Sequence, residues 1–268
     1  MKRFLERVNC NEVTLPIDGM RVVKADIERQ LRRQSTWLRD SWIWLFKTKI
    51  LQDQDDEGRR PTALDVGCGP GFVMETLTGL LDVRGVDFDK DMVNACRSRG
   101  LDADRANVYE LPFQDSAFDI VYCSFLLLWL ANQQAALEEM KRVSKKWIVC
   151  LAEPDFGGRI DHPPELSYIK ELIIEGVEKG KGDPFIGRRL RGLFKDAGME
   201  SEIGVHTGVW GIDRLKVESE DEWLYFESIV KSEKNRDRLK ELRRIWERAL
   251  VAGTLFQFNP IFYAIAQK

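Results

Sequence analysis

The sequence predicts an α/β fold in which a mostly parallel sheet is covered by helices on both faces. Two observations carry this expectation. Between residue 63 and about residue 153, short β-like runs ("ALDV", "VRGVDF", "DADRA", "FDIVYCSF", "KWIVCLAE") alternate with helical patterns near 71–81, 90–99 and 132–144. The first of these strands runs directly into "GCGPG", where three glycines permit backbone angles closed to other residues and let a ligand approach the main chain.

The elements follow in order. Ile27, Leu31, Leu38, Trp42 and Leu45 fall on one face of a helix over 26–46. The polar stretch 52–62 contains Pro61, which disfavours helix in the residue before it, and reads as a linker. Within the alternating region, Gly100 is placed to close the helix over 90–99, and Asn132 to cap the one that follows it. Beyond 154 the pattern gives helices near 163–179 and 184–197, the latter closed by Gly198, then a strand at 201–209 and helices between 219 and 250. Ser219 and Glu222 form an S-x-x-E capping box that marks a helix start. In "GRRLRGLFK" (187–195), Leu190, Leu193 and Phe194 are expected to face the core while the basic groups stay solvated. The mixed charges of 231–248 read as a solvated helix face, and a last apolar run spans 256–268.

Composition narrows the function classes. With 44% hydrophobic and 32% charged residues the chain is globular, and its net charge of −3 offers no overall attraction to nucleic acid or anionic membranes. Five cysteines, at 10, 68, 96, 123 and 150, form no C-x-x-C pair, so neither a disulfide framework nor a zinc site is expected and no metal is assigned. The start lacks a secretory signal, and the run "FLLLWL" is far shorter than the roughly 20 residues of a membrane span. A cytoplasmic protein without a membrane partner is the expectation.

Spacing selects among ligands. Gly67, Gly69 and Gly71 give G-x-G-x-G, whereas a dinucleotide fingerprint needs a glycine where Phe72 stands, and a phosphate-binding loop would need G-K-[ST]. A nicotinamide-dependent oxidoreductase is disfavoured on that ground. Asp87 ends the second strand about twenty residues on, where a carboxylate can accept hydrogen bonds from both hydroxyls of a ribose.

Together with "ANVYELPFQDSAFDIVYCSFLLLWL" (106–130), these stretches resemble the class I S-adenosylmethionine (SAM)-dependent methyltransferases, especially the group similar to ubiquinone and menaquinone biosynthesis methyltransferases. The resemblance is specific over 63–155. It implies a Rossmann-like sheet of seven strands in the order 3-2-1-4-5-7-6, the last two near 201–209 and 257–266. It also implies an N-terminal helical cap (1–60) and a methyltransferase domain (61–268) with helical insertions at about 160–198 and 213–252. Carried over, Asp65, Gly67, Cys68 and Gly69 would wrap the methionine part of SAM, Asp87 the ribose, and Phe88 and Met92 the adenine. Asn107 stands where the family usually has an acid for the adenine amino group, and the backbone of Val108 would serve a ring nitrogen. Ser124 and Phe125 would line the methyl region, and Arg39 on the capping helix would meet the SAM carboxylate.

Competing readings accompany these roles. Cys68, between glycines, reads as a neutral loop residue rather than a nucleophile; Asp65 could bind loop amides and Phe125 could be core. Methyl transfer needs chiefly binding, alignment and exclusion of water, so a general base is optional. His162, after the fifth strand, is the candidate base, set against a reading in which its ring merely packs or meets solvent, while Glu153, Asp155, Arg159 and Asp161 could orient a polar acceptor. The expected acceptor is a small molecule, with protein or RNA acceptors and a non-catalytic SAM-binding regulator as alternatives. The oligomeric state is not legible.

Overall fold

The computed structural model describes residues 21–52, 59–206, 208–230 and 233–268, with side chains from residue 28 onward in the first helix and from 235 onward in the last. Residues 1–20 of the expected cap, Cys10 among them, and 53–58 of the expected linker lie outside the described residues, as does the side chain of Ile27.

Strands β1 (Thr62–Val66), β2 (Asp82–Asp87), β3 (Ala103–Arg105), β4 (Phe118–Cys123), β5 (Ser144–Pro154), β6 (Ile160–His162), β7 (Ser201–His206), β8 (Phe256–Phe258) and β9 (Ile261–Gln267) alternate with helices. The helices are α1 (Arg21–Leu45), α2 (Phe72–Leu77), α3 (Lys90–Ser98), α4 (Gln133–Val143), α5 (Tyr168–Lys179), α6 (Ile186–Asp196), α7 (Ile212–Ile229) and α8 (Glu233–Ala252). The large sheet runs β3-β2-β1-β4-β5-β9-β7, and β6 pairs with β8 in a separate antiparallel ribbon. With the ribbon set aside, the seven strands follow the expected order 3-2-1-4-5-7-6. Only β9 opposes its neighbours; the other pairings are parallel.

Side chains alternate faces along each strand, and both faces are covered, so the central strands are apolar almost throughout. Leu64, Val121, Cys123, Ile148 and Cys150 pack toward α4 through α8. Ala63, Ile120, Tyr122, Val149 and Leu151 pack on the other face against Leu38, Trp42, Leu45 and Phe46 of the first helical segment, which continues through a widened turn at Phe46–Ile50. Asp65, in register with Tyr122, lies on this second face.

Local signals work as their chemistry requires. Asn132 accepts the Ala135 amide at 3.0 Å to cap α4, and Gly100 and Gly198 adopt φ of +79° and +68° at helix ends. Leu190, Leu193 and Phe194 of α6 are buried. Leu239, Leu242 and Trp246 give the charge-rich α8 a buried face.

Two expectations are corrected. The helix expected from 219 begins at Ile212, so Ser219 and Glu222 lie inside α7; the Ser219 hydroxyl accepts from Trp246 Nε1 at 2.8 Å, and Glu222 is buried. The final apolar run divides at Asn259 and Pro260, because proline has no N–H to continue a ladder.

Two polar devices position the site. Glu153, fully buried at the end of β5, accepts the amides of Leu126 and Leu127 at 2.9 and 2.6 Å on one oxygen and that of Leu128 at 3.3 Å on the other. It thereby holds the turn that follows β4. Arg33, buried on α1, donates to Glu218 at 2.9 Å, to Gln30 at 2.8 Å, and lies 3.6 Å from Glu222, so it latches α1 to α7. No helix among the described residues is long and apolar enough to cross a membrane.

Arg33→Met leaves Glu218 without its cation and removes one of the two that face Glu222, and is expected to cost about 1–3 kcal/mol in urea denaturation with faster hydrogen exchange in α1. Burial pushes the Glu153 carboxyl up to about 8 from an ordinary 4.5. The folded state then keeps a proton that the unfolded chain has lost, so this stability is complete below 4.5 and disappears as pH rises through about 8. Denaturation midpoints are expected to fall between pH ~5 and ~8 in the wild type, and less steeply in Glu153→Gln.

Candidate active site

The turn between β1 and α2 is wound through left-handed backbone at Gly67 (φ +75°), Gly69 (φ +53°) and Gly71 (φ +88°). A Cβ on Gly67 would come within 2.8 Å of Leu126, and one on Gly71 within 2.5 Å of Leu101, so these two positions are closed by packing as well as by conformation. Gly69 differs: the nearest atom to its added Cβ would be Leu31 Cδ1 of α1 at 3.8 Å, which leaves the main chain approachable there. Because α2 has only six residues, shorter than the expected 71–81, the cradle depends on loop amides more than on a helix dipole.

Asp87 organises the cradle. One of its oxygens accepts the Gly69 amide at 2.8 Å and the other that of Asp89 at 2.9 Å, while Gly67 and Cys68 donate to the Val86 carbonyl at 2.8 and 3.0 Å. Each carboxylate oxygen retains a further lone pair. Asp65 is 1% exposed and faces the Tyr122 hydroxyl, and burial pushes this carboxyl well above the usual range. Ser124 Oγ, just past β4, is buried without a partner. An unpaired buried polar atom of this kind is what a polar ligand would complete.

The other expected residues follow the ends of β2, β3 and β4. Phe88 is exposed, with the Arg105 guanidinium 5.3 Å over its ring, and Met92 is half-buried on α3. Asn107 Oδ1 accepts the Tyr109 amide at 3.1 Å, which uses one of its lone pairs, and the Val108 side chain is buried. Cys68 is buried, and the Cys96 thiol beside it, together with burial, pushes its pKa up, the setting of an inert loop thiol. Phe125 sits at φ +53°, uncommon for a bulky residue, and its amide donates to the Ala152 carbonyl at 2.7 Å.

Phe125 also lines a cavity of about 390 Å³, whose lining includes none of the three glycines of the turn. Gln30, Gln34 and Trp37 of α1 form one wall, with Glu222 and Tyr225 of α7 and His206 and Trp210 elsewhere around it. Phe156, Arg159, Gln257 and Asn259 complete it. Burial lowers the His206 pKa, and its Nε2–H donates to the Leu151 carbonyl at 2.6 Å.

Several candidates fall elsewhere. His162 is exposed on β6, and Arg39 is exposed on α1; neither lines the cavity. Glu153 is turned to backbone amides, and Asp155 is held by Arg188 at 2.5 and 2.7 Å. Arg159 does reach the cavity, but two of its nitrogens are bonded to Asp161 at 2.9 Å. Cys123, Cys150 and Glu153 bring ligand atoms within 4.8 Å of one another, yet the Glu153 oxygens serve amides and burial pushes the Cys150 thiol well up. His206, Trp210, Tyr225, Gln257 and Asn259 belong to no motif, and Glu222 only to the S-x-x-E pattern that reads as a helix start. Glu222 had one signal: it shares the buried face of α7 with Leu215 and Phe226, where a carboxylate is out of place.

Comparison with known proteins agrees with this geometry. Residues 64–149 match the family described as "Methyltransferase domain". The chain is 33% identical over 204 residues to the demethylmenaquinone methyltransferase of Oceanobacillus iheyensis, covering 66% of this chain and 82% of that protein. It is 31% identical over 169 residues to an uncharacterized methyltransferase of Schizosaccharomyces pombe, covering 54% of this chain, and so spans only 58% of that relative's length. A crystal structure of a SAM-dependent methyltransferase from Archaeoglobus fulgidus shares the fold at a TM-score of 0.52 and 21% identity, covering 88% of this chain and 94% of that one. The sheet order, the glycine turn tied to Asp87 and these matches together show that the chain belongs to the class I SAM-dependent methyltransferases.

Proposed function

We propose that the protein transfers a methyl group from SAM to a small-molecule acceptor. The observation that carries this is the juxtaposition at Phe125 and Leu126: Leu126 packs against Gly67 on the cradle side, and Phe125 faces the separate cavity. A donor compartment and an acceptor compartment thus meet at one turn of chain.

When bound, SAM would supply an electrophilic methyl group on sulfur. The chain's own residues divide the remaining work. Gly67, Cys68 and Gly69 offer backbone to the methionine part, with Asp65 and the unpaired Ser124 Oγ as further polar partners. Asp87 accepts the ribose hydroxyls with its remaining lone pairs, Phe88 and Met92 flank the adenine, and Asn107 with the Val108 backbone meets its edge. α1 acts as the cap, placing Leu31 over Gly69 and Trp37 over the cavity, which excludes water from the transfer. Arg39 and His162, exposed and outside the cavity lining, take no step in this scheme. The cavity lies among α1, α7 and the turn after β5, which suits a compact molecule better than a macromolecular surface. A reducing cytoplasm suits Cys68, Cys96, Cys123 and Cys150, which are free thiols.

Labelled SAM incubated with a cell extract that is then fractionated by size tests the reading: label in the low-molecular-mass fraction is expected, and tight binding with no labelled product in any fraction would make the protein a sensor instead. Asp87→Asn is expected to weaken SAM binding by about 1–3 kcal/mol in calorimetric titration, and an unchanged affinity would remove Asp87 from the site.

A further inference from the structure

Beside the glycine turn lies a cluster of sulfur atoms that cofactor binding leaves unused. Cys68 of the turn, Met74 of α2 and Cys96 of α3 form a small buried core of their own with Val93 and Ala103. The Cys96 thiol donates to the Met74 thioether at 3.6 Å. A Cβ on Gly85, within β2, would sit 2.7 Å from Met74 Sδ and 2.8 Å from Cys68 Sγ, so both sulfurs look onto one spot that only glycine leaves open. The Cys68 and Cys96 thiols in turn face each other. Three sulfurs therefore converge from the turn and the two helices that follow it, with no C-x-x-C spacing to announce them.

The distances suit a metal ion. Two sulfurs bonded to one ion at about 2.3 Å, at trigonal or tetrahedral angles, lie about 3.8–4.0 Å apart, close to the 3.6 Å between Cys96 and Met74. Thiols with a thioether select soft cations such as Cu(I) over Mg(II) and Ca(II), which want oxygen. Contact with Cys68 lowers the Cys96 thiol, and Arg99 adds to it, while the same contact and burial raise Cys68; one proton leaves readily and an ion displaces the other. The Asp87 carboxylate disfavours a thiolate at both cysteines and for the same reason favours a cation between them. This cluster differs from Cys123, Cys150 and Glu153, where the carboxyl is taken by three amides, because the Met74 sulfur needs no deprotonation and its partner is a thiol. Val83 and Leu101 cover the sulfurs and also line an open cavity of about 430 Å³ with Arg59, Arg60 and Asp102, so on that side two apolar side chains separate them from solvent.

We propose that Cys68, Met74 and Cys96 form a three-sulfur site for a single soft monovalent cation, Cu(I). For each ion bound, two S–H protons pass to solvent, the two thiolates and the thioether donate lone pairs to the metal, and no electron changes hands. The ion ties the glycine turn to α2 and α3. The site stands whether or not the turn holds SAM.

Anaerobic titration of the full, reduced chain with Cu(I), in competition with a chromophoric Cu(I) chelator, tests this. One ion per chain is expected to bind, and X-ray absorption at the copper edge to show three sulfurs at about 2.3 Å. Cys68→Ser and Cys96→Ser are each expected to weaken binding at least about 100-fold, and Met74→Leu about 10-fold with loss of the third sulfur. Met74→Leu keeps the volume of the core, so its result carries the test should a serine variant fail to fold. The double variant Cys10→Ser, Cys123→Ala is expected to bind as the wild type does. Binding that survives Met74→Leu and Cys96→Ser, or that disappears in the double variant, overturns the inference. So does a metal shell of two sulfurs or of oxygen, and so does a chain that leaves all of the Cu(I) with the chelator.

Discussion

The bond from the Gly69 amide to the Asp87 carboxylate is the constraint on which the site depends. Parallel strands β1 and β2 end side by side, buried on both faces, and the chain leaving β1 must turn at once with its amides satisfied. Asp87 takes one amide from each of two turns, after β1 and after β2, and the Val86 carbonyl takes two more. Left-handed glycines make that winding possible without a Cβ clash. The same arrangement that satisfies the strand ends presents an open stretch of main chain at Gly69.

A second carboxyl group does related work three strands away. Glu153 gathers three successive amides and so determines where Phe125 and Leu126 point, one toward the cavity and one toward Gly67. Phe125 keeps its unusual backbone angle because its amide is bonded across to β5. Neither carboxylate needs to touch a ligand to shape both compartments. For Glu153 this corrects the expectation that it orients an acceptor.

Legibility follows from how locally each feature is encoded. Strand alternation, the helix ends at Gly100 and Gly198, the Asn132 cap and the glycine turn with Asp87 are all fixed by neighbours in sequence, and they were readable. Asp65 and Ser124 were named from a resemblance, and both are placed by long-range pairing that no local motif announces, Asp65 facing Tyr122 across β1 and β4. The cavity was not readable, since Gln34, Glu222 and Asn259 come together only when α1, α7 and the turn before β9 pack. His162 and His206 illustrate the difference. The first stands by a suggestive local motif yet faces solvent, and the second, with no motif, lines the cavity.

Leu31, Gln34 and Trp37 lie three residues apart on α1, so one rigid rod reaches from the glycine turn to the far compartment. Its carboxyl-terminal half is rooted in the core by Trp42, Leu45 and Phe46, and its middle is fastened through Arg33. For the transfer we propose, a shift of this rod would disturb donor and acceptor together rather than independently.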